Sequence, residues 1–132
     1  MSSRTVTAVL PVTRQQAFDY LADIDNLPRW ATEFAREMEV VGGRHVVRNG
    51  LGEFLFEIRS DEATGVIDMF AGPNEEAMAI FPTRVVALPD GSSAFTFTMF
   101  QGPDMSDELF EQQYESLLRE FGNIERELAP AG

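Results

Sequence analysis

The sequence predicts one α+β domain over residues 1–132, in which a curved antiparallel sheet of about seven strands closes over a long C-terminal helix. Three observations carry this. Between Glu37 and Gln101, strand-like stretches alternate with Gly, Pro and Asn turn residues, the sign of a meander of hairpins. Ahead of them, one β-branched stretch is followed by two short helical segments. Behind them, apolar residues recur at alternating spacings of four and three, the period of an amphipathic helix.

Taken in order, Thr5–Val12 is rich in β-branched residues and stops at Thr13, which caps a helix with Gln16 as its capping-box partner. That helix gathers Ala17, Phe18, Leu21 and Ile24 on one side and breaks in Asp23–Asn26. A second short helix begins at Leu27-Pro28, where proline suits the first turn, and carries Trp30 and Phe34. Strands follow at Met38–Val41, His45–Arg48, Glu53–Arg59, Gly65–Phe70, Ala77–Leu88 and Ala94–Phe100. Asn49-Gly50 favours a tight primed turn, while Gly42-Gly43, Gly72-Pro73-Asn74 and Pro89-Asp90-Gly91 mark the other reversals. Pro82 cannot donate to a ladder, so the long fifth run should break or bulge there.

From Ser106 onward, Phe110, Tyr114, Leu117, Phe121, Ile124 and Leu128 form one stripe. Ser106 or Asp104 can cap this helix, Asp107 and Glu108 suit its positive end, and Pro130 with Gly132 should stop it. About 23 residues would give roughly 34 Å, enough to cross a small sheet. No repeat or linker divides the chain, so a single domain is expected.

Composition excludes whole classes of chemistry. A chain of 132 residues can bury about two-thirds of its unfolded surface and needs no staple. There is no cysteine, hence no disulfide, thiol nucleophile or cysteine-ligated metal. There is no lysine, hence no Schiff base and no phosphate-clamping P-loop. With a single histidine, no two-histidine metal site can form, and no cofactor is expected. The net charge of −12 would repel a phosphate backbone, so nucleic acid is not an expected partner. Residues 1–10 reach Pro11 before a signal-type apolar core develops, and no stretch is long enough for a membrane span; the cytoplasm is the expected compartment. Asp23-Ile-Asp-Asn26 begins like a calcium loop, but Leu27-Pro28 stands where a ligand and glycine would follow, so it reads as a helix break.

The order strand, two small helices, six strands, long helix resembles the plan of the START-like or SRPBCC superfamily. Ala17-Phe-Asp-Tyr-Leu-Ala-Asp-Ile-Asp-Asn-Leu-Pro-Arg-Trp30 is similar to its opening signature. Gly65–Asp68, Phe81–Val86, Gly91–Ser93, Phe97–Phe100 and Gly102–Asp107 resemble a bacterial branch labelled polyketide cyclase-like. The resemblance implies a helix-grip fold, a sheet wrapped round the C-terminal helix, with a cavity that in many relatives takes lipids, polyketides or hormones. The plant pathogenesis-related, Bet v 1-like members carry a glycine-rich loop after their second strand, where this chain has only Gly42-Gly43 before Arg44. No residue cluster matches an aromatase or cyclase active site.

Within that frame the eleven phenylalanines are the most informative excess. Phe54, Phe56 and Ile58 share one strand face, Phe95, Phe97 and Met99 another, and Phe110, Tyr114, Leu117 and Phe121 lie along the helix. With Trp30, Phe81 and Met69 they are the expected ligand-contacting set, and Met69, Met78 and Met99 would keep the lining adaptable. Apolar stripes also simply fill cores, and each of these residues has that alternative.

The polar candidates are His45, Arg84 and Asp68. His45 is the only histidine, at a strand start. Arg84 and Asp68 interrupt apolar strands and could pair with each other, face solvent, or anchor a ligand carboxylate or enolate through Arg84. Glu57, Gln101 and Tyr114 are weaker candidates. Three functions follow: a non-catalytic binder or carrier of a small apolar or aromatic molecule; a cyclase or dehydratase using His45 or Arg84; and a co-chaperone-like interaction module. The first is preferred, because so few groups are able to act on a ligand. A homodimer is compatible with all three.

Overall fold

The structure, a computed structural model, describes residues 1–129. The expected helix stop at Pro130 and Gly132 lies outside the described residues. Strand β1 (Ser3–Leu10) leads into helix α1 (Arg14–Leu21), a single 3-10 turn at Ile24–Asn26 and the one-turn helix α2 (Leu27–Trp30). The strands β2 (Glu37–Val41), β3 (Arg44–Asn49), β4 (Gly52–Asp61), β5 (Val66–Gly72), β6 (Ala79–Phe81), β7 (Thr83–Ala87) and β8 (Ser93–Phe100) follow, then helix α3 (Asp107–Glu127). The eight strands form one open antiparallel sheet, ordered β1-β8-β7-β5-β4-β3-β2, with β6 paired beside β5.

Local chemistry explains most boundaries. Thr13 Oγ1 accepts the N–H of Gln16 while Gln16 Oε1 accepts the N–H of Thr13, so the capping box opens α1 as the sequence indicates. Ser106 Oγ accepts the N–H of Leu109 at 3.1 Å and opens α3. Pro82 divides the fifth run: Ala79–Phe81 stays on β5, whereas Thr83–Ala87 crosses to β8, which makes eight strands where the sequence suggests seven. Phe34 lies past the end of α2, in the loop that leads to β2.

The primed turn is displaced from its expected place. Gly42 and Gly43 both have positive φ, 59° and 80°, and join the tightly paired Val41 and Arg44. At the next hairpin the two loop residues are Gly50 and Leu51, neither with positive φ, and Asn49 Oδ1 instead accepts the N–H of Leu51 at 2.8 Å. An asparagine side-chain turn satisfies this reversal, and the positive φ, 133°, falls one residue later at Gly52, the partner of Asn49.

The core lies between the concave face of the sheet and the three helices. Leu10, Leu21, Val47, Ile67, Met69, Val85, Phe95 and Ile124 are fully buried. Each side chain of this size contributes roughly 1.5–3 kcal/mol through its removal from water. Helix α3 buries Phe110, Leu117, Phe121 and Ile124 as its 3.6-residue period requires, and among them one charged residue, Glu120. No helix among the described residues is long and apolar enough to cross a membrane.

Candidate functional site

Towards the β3–β4 and β5–β6 end of the sheet, α3 and the sheet part and enclose a cavity of about 660 Å³. Antiparallel pairing sets its walls. Phe56 pairs with Ala71 across β4 and β5, so both point inward, as do Phe54 and Met69 at alternate positions. Phe81 of β6 and Phe97 of β8 face each other with ring centres 5.6 Å apart and, with Met99, make a second wall. Leu117 forms the α3 side, and Trp30, Phe34 and Leu27 close the space from the α2–β2 segment. The Phe34 ring lies 5.7 Å from that of Phe56 and 6.4 Å from that of Phe54. Gly50, Leu51, Pro73 and Gln112 are exposed lining residues, which puts the mouth between the β3–β4 turn, the β5–β6 loop and α3. The volume is in the range of pockets that hold drug-sized molecules, and the walls are predominantly apolar.

The α2–β2 segment is stitched to both neighbours. Asn123 Nδ2 donates to the carbonyl of Trp30 at 2.9 Å and to Thr32 Oγ1 at 3.0 Å. Arg119 grips Glu33 with two hydrogen bonds of 2.9 and 2.7 Å, and this contact holds the Glu33 carboxyl below its ordinary pKa. Asn49 Nδ2 donates to the carbonyl of Phe34 at 2.8 Å. The aromatic lid is therefore fixed by polar bonds at its edges.

Glu120 is the residue that a search for polar interruptions among strands misses. It is 4% exposed and lies on the cavity wall, where Oε2 accepts the N–H groups of Glu33 at 3.1 Å and Phe34 at 3.0 Å. Burial, which penalises the charged form, raises its pKa from 4.5 to about 7, against the lowering effect of the two N–H donors. The signal is present in the sequence: Glu120 stands three residues after Leu117 and four before Ile124, on the apolar stripe itself.

The structure distributes the expected residues between two settings. Trp30, Phe54, Phe56, Met69, Phe81, Phe97, Met99 and Leu117 line the cavity. Ile58, Phe95, Phe110, Tyr114 and Phe121 do not. Phe95 stacks on Phe121 at 5.4 Å and meets the edge of Trp30 at 6.4 Å, filling the space under the second half of α3. Tyr114 is half-buried, with the Arg4 guanidinium 4.3 Å above its ring. Ile58 and Met78 are half-buried outside the cavity.

Of the polar candidates, Arg84 is exposed and donates from Nε to the Thr64 carbonyl at 3.1 Å. Asp68 is half-buried and accepts the N–H of Thr83 at 3.3 Å, so the two serve separate backbone groups, with no ion pair between them. Both alternate with the buried residues Ile67, Met69 and Val85 and so project from the outer face. His45 pairs with Phe56 and shares its face, half-buried, but does not reach the cavity lining. Glu57 pairs with exposed Arg59, and Gln101 bonds to Met105 and Asp107 at the start of α3. Among the described residues no group of three or more His, Asp or Glu is arranged to hold a metal ion.

No family model matches the chain, and no curated protein matches its sequence. Solved structures do match. XoxI from Bacillus cereus superposes with a TM-score of 0.75 at 11% identity, covering 97% of this chain and 96% of that one. Zhui aromatase/cyclase from Streptomyces sp. R1128 gives 0.69 at 15% identity, over 96% and 94%. Ara h 8.0201 gives 0.65 at 19% identity, over 96% and 97%. At these identities the likeness concerns the fold alone: this chain shares with them a helix-grip architecture, an antiparallel sheet closed over a C-terminal helix.

Proposed function

We propose that the protein binds or carries a small apolar or aromatic molecule between the sheet and α3. The observation that carries this reading is the cavity of about 660 Å³ whose walls are mainly apolar, with phenylalanine, methionine, tryptophan and leucine side chains prominent. Aromatic rings supply large contact area, and Met69 and Met99 adapt to ligands of different outline. Matching folds include a protein named as an aromatase/cyclase, which lends support to a ligand site under α3. Holding is favoured over transforming, because Arg84 and Asp68 sit on the outer face and His45 stands beyond the lining.

Trp30 is the sole tryptophan and lines the cavity, so it reports occupancy directly. Titration with 2-methylnaphthalene should raise the melting temperature, because a ligand at a hundred times its Kd adds about 2.7 kcal/mol to stability. The same titration with an environment-sensitive apolar dye should change Trp30 emission. Unchanged melting and unchanged emission through saturating concentrations of both would overturn the reading.

A further inference from the structure

Glu120 is a buried carboxyl in a predominantly apolar wall, and its two oxygens are in different situations. Oε2 is committed to the N–H groups of Glu33 and Phe34. Oε1 has no hydrogen-bond partner among the described residues, although the side chain is 96% buried by its 4% exposure and borders the cavity. Among the described residues the fully enclosed side-chain oxygen without a partner is Ser93 Oγ, so Glu120 Oε1 keeps some accessible surface that a bound group can meet. Of the other polar lining groups, Asn49 bonds with Phe34 and Leu51 and Glu33 with Arg119, while Gln112 and Gln113 of α3 also border the cavity.

We propose that the cavity takes an apolar or aromatic molecule bearing one hydroxyl group, a phenol or alcohol, and that Glu120 Oε1 holds that hydroxyl. This rests on the reading of the cavity as a ligand site. A hydroxyl both donates and accepts, so it bonds to a carboxylate and to a protonated carboxyl alike. That match matters because Glu120 titrates near neutrality. A ketone would suit only the protonated acid and an ammonium only the carboxylate, so each would lose its bond on one side of pH 7. The charged groups that face Glu120 are Glu33 and Arg36 of the loop and Arg119 of α3; the strands contribute no charged residue to the lining. Glu33 and Arg119 neutralise each other, and Arg36 is exposed.

The test compares 2-naphthol with 2-methylnaphthalene, similar in shape, by equilibrium dialysis against the wild type, Glu120→Gln and Glu120→Leu. Relative to Glu120→Leu, the wild type should prefer 2-naphthol by about tenfold, the scale of a hydrogen bond to a charged or strongly polar group. Glu120→Gln, which keeps an acceptor for the loop N–H groups, should retain a preference. A second measurement needs no variant: in the wild type, 13C NMR should show a lower Glu120 titration midpoint with 2-naphthol bound than with 2-methylnaphthalene bound, because the stronger hydroxyl bond is the one to the charged form. Binding of both compounds with equal preference in all three proteins, or equal midpoints with the two compounds bound, would overturn the proposal and leave the cavity reading standing. Binding of neither would overturn both.

Discussion

The two halves of the space under α3 use the same residue types to opposite effect. Beneath Phe121 and Ile124, the Phe95 ring stacks on Phe121, Trp30 meets its edge, and the fully buried Leu10 and Leu21 belong to the same cluster. Beneath Leu117, rings of similar size from Phe54, Phe56, Phe81 and Phe97 stand round a cavity. What differs is how the opposing surface is built. On the filled side α1 and α2 press large side chains into the sheet; on the open side the facing element is a loop held off by its own polar bonds to α3 and to Asn49. A phenylalanine becomes core or lining according to what its partner layer supplies.

The largest expected effect tests this contrast directly. Phe95→Ala removes a completely buried ring and should cost about 3–5 kcal/mol in denaturant unfolding. Phe54→Ala, at a half-buried ring that already borders open space, should cost about 1 kcal/mol while changing the affinity for apolar dyes. Equal losses at the two positions would mean that the halves do not differ in packing.

A smaller effect concerns Glu120 and depends on pH. Its folded pKa, about 7, lies above the ordinary 4.5, so the folded state holds this proton more tightly than the unfolded chain. The associated stability is present below about pH 4.5 and is lost as pH rises to about 7. Relative to Glu120→Gln, the wild type should therefore weaken across that window by up to about 3 kcal/mol, the equivalent of the shift. Parallel stability curves for the two proteins from pH 4 to 8, measured by urea unfolding, would show that the carboxyl is not desolvated as described.

The smallest effect is expected on the outer face. Arg84→Ala removes an exposed side chain with one bond to a loop carbonyl, and should change stability by no more than about 0.5 kcal/mol and dye affinity not at all. A loss of dye binding in this variant would return Arg84 to the site.

Periodicity and punctuation made much of this molecule legible in advance. The capping box at Thr13, the Ser106 cap, the break at Pro82 and the stripe Phe110, Leu117, Phe121, Ile124 follow from local rules that involve neighbours a few residues away. So do the shared inward faces of Phe54 with Phe56 and Phe97 with Met99, since alternation along a strand is geometric. The site was harder to read for two particular reasons. Asp68 and Arg84 are polar breaks in apolar strands, yet alternation turns them outward, where such breaks cost little. Glu120 is one of many acidic residues in the sequence, and only its place on the helix stripe sends it inward.

The sequence by itself therefore determined the elements, their order and which side of each is apolar, because these depend on contacts within one or two turns. Only the tertiary structure decided where α3 rests on the sheet and where it stands away from it. That gap is fixed by long-range bonds, Asn123 to Trp30, Arg119 to Glu33 and Glu120 to the Glu33 and Phe34 amides, which join residues some ninety positions apart. No local pattern encodes such a distance, and it is this distance that separates a packed core from a cavity with the buried Glu120 carboxyl in its wall.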